Sequence, residues 1–420
     1  LAYCEENLEK GDPFRVEPMD ATEGLKLISG NEAAALGAAF GGVQFAAWYP
    51  ITPATGVADM LNYHLPRLRK DPETGKNTFA VIQAEDELSA LGMVVGAGWG
   101  GLRAMTSTSG PGLSLMNEFG GLAYYSETPL VLWDVQRVGP STGLPTRTSQ
   151  GDVLLAHYLG HGDTQNVLLF PGNTNECFQF GWQAFDLAER LQTPIIVLSD
   201  LDLGVNQWMT EPFAYPEQDM DRGKVLWEED FEEWEGKWGR YLDVDGDGIP
   251  YRTLPGNQHP ESAWFARGTG HDAFARYSED PNAWYENMER LRKKFQLARE
   301  LVPEPVVDQV EQAEVGVIGF GSTDDAIQEA RDLLQEQGLP VSSLRIRAVP
   351  FTKQVETFIK DHDRIVVVEL NRDGQLHQLL RLDYPDQALK LKSAARLDGL
   401  SLSAGWVADQ IKNVEVEQHG

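Results

Sequence analysis

Between Lys26 and about Leu201 the chain alternates two hydrophobic patterns. Short, continuous apolar runs occupy Thr78–Gln83, Arg103–Thr108, Leu130–Val135, Asn166–Phe170 and Pro194–Ser199. Between most of them lie Ala-, Gly- and Leu-rich segments with helical periodicity, at Asn31–Phe40, Glu85–Trp99, Gly112–Tyr124 and Asn175–Leu191. Uninterrupted apolar strands alternating with helices predict a parallel sheet covered on both faces. A second, smaller β/α unit follows, with strands at Val315–Gly319, Val341–Arg347 and Arg364–Glu369 and helices at Asp324–Gln337 and Gln354–Asp361. The two are separated by a stretch of weak periodicity, rich in Trp, Asp, Glu, Gly and Pro, and by a helix at Ala283–Leu301. The division expected is an arm at 1–25, a first domain at 26–201, an irregular excursion at 202–282, a connecting helix at 283–310 and a second α/β domain at 311–420. A long irregular stretch of this kind is usually kept for binding or subunit contact.

Composition narrows the function. A chain of 420 residues can bury large cores, and no apolar span approaches the twenty residues of a membrane helix. The formal net charge of −29 argues against nucleic acid and anionic lipid as partners. Only two cysteines occur, Cys4 and Cys177, so this chain cannot supply the four thiolates of an iron–sulfur cluster. Without a signal peptide or a disulfide framework, the expected compartment is the cytoplasm. The chain begins at Leu1, which reads as a processed chain or a piece of a longer one.

Four segments carry the candidate chemistry. In Tyr49-Pro50-Ile51-Thr52-Pro53 two prolines stiffen the backbone around a hydroxyl where an apolar run gives way to a helix. In Gln83-Ala84-Glu85-Asp86-Glu87 three acids open a helix; capping explains Glu85 and Asp86. Glu87 precedes an apolar, small-residue helix, where a carboxyl is costly to bury and is a candidate proton relay. Thr106-Ser107-Thr108-Ser109-Gly110-Pro111-Gly112 is a hydroxyl-rich turn at a strand end, with Ser109 able to face a polar ligand. Arg137 ends an apolar strand and leads into a Gly- and Pro-rich loop carrying Pro145, Thr146 and Arg147, a candidate clamp for a small acid's carboxylate. Elsewhere, Asp243, Asp245 and Asp247 copy the start of a calcium loop, but Leu254 stands where its bidentate glutamate belongs. That loop is either a solvated acidic turn or a divalent-ion site. Gly319-Phe320-Gly321-Ser322 lacks the remaining residues of a phosphate loop and reads as a tight strand-to-helix turn.

Taken together and in this order, the four segments resemble the α subunits of 2-oxoacid:ferredoxin oxidoreductases, most nearly the 2-oxoglutarate type (2-oxoglutarate synthase). The resemblance runs from about Lys26 to the C-terminus. It implies a pyrimidine-side thiamine-diphosphate domain followed by a transketolase C-terminal-like α/β domain. It also implies a β subunit carrying the diphosphate and Mg2+ site and a [4Fe–4S] cluster, in a dimer of αβ units that reduces ferredoxin and uses coenzyme A. By position, Glu87 would bond the aminopyrimidine ring nitrogen, with Glu85 the competing choice, and Tyr49, Pro50, Ile51 and Ser109 would line the cofactor. Thr52 would contact the substrate, Arg137 would hold its carboxylate, and Thr146 and Arg147 would line the site. A distal carboxylate, as in 2-oxoglutarate, needs a second cation, for which Arg147 or Arg103 are the candidates. Many such subunits carry a further N-terminal domain, here expected to be missing, separate or cleaved off. The reaction implied is oxidative decarboxylation to an acyl-coenzyme A, or the reverse carboxylation as in the reductive tricarboxylic acid cycle. The alternatives are a pyruvate or branched-chain enzyme, a lipoyl-dependent dehydrogenase component and a non-catalytic scaffold.

Overall fold

The structure, a computed structural model, describes residues 2–9, 11, 13–17 and 19–416. Fourteen strands form along them. The first eight are β1 (Lys26–Ser29), β2 (Phe45–Trp48), β3 (Ala80–Gln83), β4 (Ala104–Thr108), β5 (Leu130–Gln136), β6 (Val167–Leu169), β7 (Pro194–Asp200) and β8 (Gln207–Thr210). The rest are β9 (Val306–Asp308), β10 (Val315–Phe320), β11 (Val341–Ile346), β12 (Ala348–Val349), β13 (Arg364–Glu369) and β14 (Leu391–Ala395). They build a seven-stranded sheet of order β12-β6-β7-β5-β4-β2-β3, a five-stranded sheet of order β14-β13-β10-β11-β9 and a β1-β8 ribbon. From β6 to β3 all pairings of the large sheet are parallel. β5 and β7 are buried along their whole length, as apolar runs without alternation require.

The Ala- and Gly-rich sequence of the helix Gly30–Phe40 reflects how closely it packs on the helix Thr174–Leu191. A Cβ on Gly37 would lie 2.1 Å from the Phe178 carbonyl oxygen, and one on Gly181 would lie 2.7 Å from that of Ala34. Side-chain caps fix where helices begin. Asp86 accepts from the Ser89 amide at 2.7 Å, so that helix starts at Glu87 rather than at Glu85. The segment expected as one helix from Gly112 is two, Gly110–Leu115 and Asn117–Ser126, divided at Met116.

The second domain is tied into the first. Its strand β12 pairs antiparallel with β6 and so completes the edge of the large sheet. Glu176 receives Arg345 Nη1 at 2.5 Å and Arg347 Nε at 2.8 Å, all three largely removed from solvent. Gln150, fully buried, receives Leu370 N on its side-chain oxygen at 3.0 Å and donates through Nε2 to the Phe320 carbonyl at 2.8 Å. The Gly319–Ser322 turn belongs to this seam, where Ser322 donates to Asp200 Oδ2 at 2.6 Å.

The excursion contains little regular structure beyond the short helix Leu201–Val205 at its start, β8 and a single turn of helix at Asp230–Glu233. Leu226, Phe231 and Trp238 give it a small core of its own. A buried ion cluster anchors it, together with the helix Pro281–Ala298. Glu127 receives Arg290 Nη2 at 2.5 Å and Lys294 Nζ at 2.6 Å, while Arg240 donates to its carbonyl at 2.9 Å. Cys177 is fully buried, as its helical segment implies, and Cys4 is exposed.

Candidate active site

Connections from β2 run outward to β3, whereas those from β4 run the other way towards β5 and β7. The order therefore reverses between β2 and β4, the position at which open parallel sheets bind ligands beyond the strands' C-terminal ends. The candidate residues all follow such ends. Tyr49–Pro53 follows β2, Glu87 follows β3, Ser109 follows β4 and Arg137 follows β5.

Two of them touch. Arg137 Nη1 donates to the Thr52 carbonyl at 2.7 Å, and Nη2 donates to the Thr142 carbonyl at 3.2 Å. Both acceptors are neutral, so the guanidinium charge is left without a contact ion pair, and burial lowers its affinity for the proton. The Thr52 loop is itself pinned. Asn31 Nδ2, from the buried start of the helix Gly30–Phe40, donates to the Pro53 carbonyl at 2.9 Å. Thr55 Oγ1 receives the Ile51 amide at 3.0 Å, and the Thr52–Pro53 peptide is cis. Thr52 itself is exposed, and its hydroxyl has no partner among the described residues. Arg137 opens onto a cavity of about 610 Å3, walled also by Gly110, Ser141, Asp152, Asn371 and Arg372.

Glu87 is 8 % exposed, whereas Glu85 is exposed and Asp86 is the helix cap. The Glu87 carboxyl makes no hydrogen bond or ion pair among the described residues and lies over Gly112, where an added Cβ would stand 2.9 Å from Glu87 Cγ. Ser109 Oγ is also buried without a partner. An unpaired acid over a glycine that cannot carry a side chain, with an unpaired buried hydroxyl at the end of β4, fits the ring end of a heterocyclic cofactor. Among the described residues no cluster of three His, Cys, Asp or Glu could hold a metal ion.

Other expected residues are placed elsewhere. Thr146 and Arg147 are exposed outside the cavity wall, with the Arg147 stem packed against Gly399. Arg103 is no free cation, since its guanidinium is buried on Asp186 at 2.6 Å and Glu189 at 3.1 Å. Asp243, Asp245 and Asp247 do not form a metal centre. The Lys224 ammonium fills that position, 2.7 Å from Asp245 and 2.8 Å from Asp247, while Asp243 caps the Gly248 amide at 3.1 Å. Sequence reasoning overlooked Asn31, Asp134, Asp152 and Arg372. An aspartate inside the apolar run Leu130–Val135 was the one available signal for Asp134.

The sequence matches the family described as "Pyruvate flavodoxin/ferredoxin oxidoreductase, thiamine diP-bdg" over residues 36–294. It is 34% identical over 361 residues to the 2-oxoglutarate synthase subunit KorA of Methanothermobacter thermautotrophicus, covering 84% of this chain and 90% of that one. It is 35% identical over 381 residues to the 2-oxoacid:ferredoxin oxidoreductase 1 subunit alpha of Sulfurisphaera tokodaii, covering 88% of this chain but spanning 58% of that relative's length. Among solved structures, the 2-oxoglutarate:ferredoxin oxidoreductase of Magnetococcus marinus, with 2-oxoglutarate, coenzyme A and succinyl-CoA bound, superposes with a TM-score of 0.86. That match has 31% identity and covers 97% of this chain and 68% of the other. A split-gene transketolase, at 10% identity and a TM-score of 0.52 over 92% of this chain and 98% of its own, shares the fold alone. On these similarities the chain belongs to the α subunits of the 2-oxoacid:ferredoxin oxidoreductase family.

Proposed function

We propose that this chain is the pyrimidine-side half of a cytoplasmic, thiamine-diphosphate-dependent enzyme that converts 2-oxoglutarate and coenzyme A to succinyl-CoA and CO2, with electrons passed to ferredoxin, or runs the reverse carboxylation. The observation that carries this reading is the Arg137–Thr52 contact at the C-terminal ends of the sheet's strands, with a buried, unpaired Glu87 opening the helix after β3 on the same side of the sheet. The bound cofactor supplies the electron sink for decarboxylation. Glu87 would hold the cofactor by a hydrogen bond to a nitrogen of the pyrimidine ring, and Ser109 would offer its buried hydroxyl to the same end. Arg137 keeps its charge for the carboxylate next to the reacting carbonyl, because its protein partners are neutral carbonyls. Thr52 turns its free hydroxyl to the substrate while its carbonyl fixes Arg137.

The metal, the diphosphate anchor and the iron–sulfur cluster are assigned to a β subunit, in a dimer of αβ units. Two cysteines cannot ligate a cluster, and the described residues hold no group suited to a metal. Preference for 2-oxoglutarate over pyruvate needs a cation for the distal carboxylate. Arg372, on the same cavity as Arg137 and held there by an exposed pair with Asp373 that a substrate carboxylate can replace, takes that role in place of the buried Arg103 and of Arg147 outside the cavity wall. The test is reconstitution with the β subunit, following ferredoxin reduction with 2-oxoglutarate and with pyruvate. Equal kcat/KM for the two acids would remove the 2-oxoglutarate assignment. Full turnover by a Glu87→Gln complex would remove the catalytic one and leave a scaffold.

A further inference from the structure

Asp134 is fully buried on β5, and neither of its carboxyl oxygens receives a hydrogen bond from any N–H or O–H group among the described residues. Its neighbour is another acid, the Asp152 carboxyl, which lies within range to act on it and to share a proton with it. Asp152 Oδ2 is likewise sealed from solvent, and the carboxyl packs so closely on Gly110 that an added Cβ there would stand 2.7 Å from Oδ1. Two carboxyls in contact inside a protein cannot both be ionised, so at least one proton is held between them. Asp152 also lines the cavity onto which Arg137 opens. No contact ion pair joins Asp152 to Arg137, yet the guanidinium charge acts on its carboxyl.

We infer that Asp134 remains protonated and donates to Asp152, and that Asp152 is an exchangeable counter-charge for Arg137, taking up a proton from solvent when a ligand carboxylate reaches the guanidinium. The inference rests on the reading of Arg137 as a carboxylate clamp. The charges balance. Without ligand, one negative charge on the pair offsets Arg137; with ligand, the incoming carboxylate does so and Asp152 becomes neutral. Leaving both an ionised Asp152 and the ligand carboxylate on a single guanidinium would cost far more than moving one proton. Burial raises the Asp152 carboxyl to about 7, against the lowering pulls of the Asp134 hydrogen bond and the Arg137 charge. Asp134 lies well above its ordinary value, through burial and then the charge on Asp152.

The other charged groups on the surrounding elements are engaged elsewhere or exposed. On β7, Asp200 receives Ser322 and Thr148. In the helix Val153–His157, His157 is held on the Asn166 carbonyl. In the helix Gln375–Asp383, His377 is held on the Leu391 carbonyl. Arg372 and Asp373, across the cavity, pair with each other, and Glu118 is exposed. Glu87, over Gly112, is the one remaining unpaired acid on these elements, and β4 carries no charge.

The experiment is calorimetric binding of 2-oxoglutarate to the assembled complex without coenzyme A, in buffers of contrasting protonation enthalpy between pH 6 and 9. Wild type is expected to take up close to one proton per ligand at the alkaline end, with affinity falling by up to about tenfold per pH unit above neutrality. In Asp152→Asn the uptake disappears and the affinity profile flattens. Binding heats independent of buffer in wild type, or an unchanged slope in Asp152→Asn, would overturn the inference. Difference infrared spectra of the unliganded complex give a second reading that needs no binding. A carboxyl band at neutral pH that Asp134→Asn removes supports the shared proton, and its absence from wild type overturns it. A complex that turns over 2-oxo acids without proton uptake keeps the proposed reaction and loses this link. One that takes up the proton on binding but performs no chemistry does the opposite.

Discussion

Arg137 and Thr52 meet through a main-chain oxygen: the guanidinium Nη1 donates to the threonine carbonyl at 2.7 Å, and the threonine hydroxyl stays uncommitted. The clamp is thereby positioned by an atom that no side-chain substitution at residue 52 removes, so the two roles can be separated by mutation.

Arg137→Lys keeps the charge but cannot bridge the Thr52 and Thr142 carbonyls while also presenting a fork to a carboxylate. We expect kcat/KM for the 2-oxo acid to fall by about 100-fold, about 2.7 kcal/mol of transition-state stabilisation. Thr52→Val leaves the carbonyl in place and should cost much less. Steady-state ferredoxin reduction with the reconstituted complex measures both, and a Thr52→Val loss as large as that of Arg137→Lys would contradict the division of labour.

Glu87→Gln removes the proton that the buried acid can move, and turnover should drop by about 100-fold or more. Glu85→Gln, at an exposed position, should stay within about twofold of wild type. Parallel single-turnover measurements on the two variants decide between the acids, and the reverse ranking would assign the role to Glu85.

Glu176 is the hub on which Arg345 and Arg347 of the second domain converge. Glu176→Ala leaves two guanidinium groups in a largely buried seam and should cost about 3–5 kcal/mol, read by urea unfolding. Hydrogen bonding and charge from Arg345, then the charge of Arg347, outweigh burial and hold the Glu176 carboxyl below its ordinary value. A depressed carboxylate stabilises the fold above its unfolded-state pKa, and that stability is lost as pH falls through the lower folded value. Wild type should therefore lose stability on acidification below about pH 4.5 more steeply than Glu176→Gln.

Gly37→Ala places a methyl group against a backbone carbonyl that cannot yield without shifting a helix. The expected loss is at least 1–3 kcal/mol, roughly the range for overpacking a close interface. The melting temperature of the variant checks it.

Lys224 occupies the acidic loop in place of a cation. Lys224→Ala should open the loop to weak calcium binding, on the order of millimolar, visible as a thermal shift that wild type lacks. A shift of equal size in wild type would restore the metal reading of Asp243, Asp245 and Asp247.

The parts of this molecule most legible in sequence were those set by short-range chemistry. Continuous apolar runs gave β5 and β7 and the helix Thr174–Leu191 nearly to the residue, because burial on both faces leaves no alternation to misread. The motif order likewise placed Thr52, Glu87, Ser109 and Arg137 at strand ends on one side of the sheet. What escaped were relationships between distant segments. Nothing local marks Asp152 as the partner of Asp134, or Lys224 as the occupant of a loop twenty residues on. Arg103 and Arg372 are equally unremarkable in sequence; only the fold shows that the first is committed to Asp186 and Glu189 and the second lies on the cavity. Thr146 and Arg147 show the converse, since closeness in sequence to Arg137 did not bring them onto the cavity wall.

Because β12 comes from Ala348–Val349 yet caps the large sheet at β6, the two halves of the chain are not interchangeable modules. A nick near residue 305 followed by separation would strip the first half of its terminal strand and bare a row of unpaired amides and carbonyls, an invitation to self-association. Efforts to shrink this protein to a minimal cofactor-binding fragment should therefore keep the chain through at least residue 349, or redesign β6 as a free border with charge or proline.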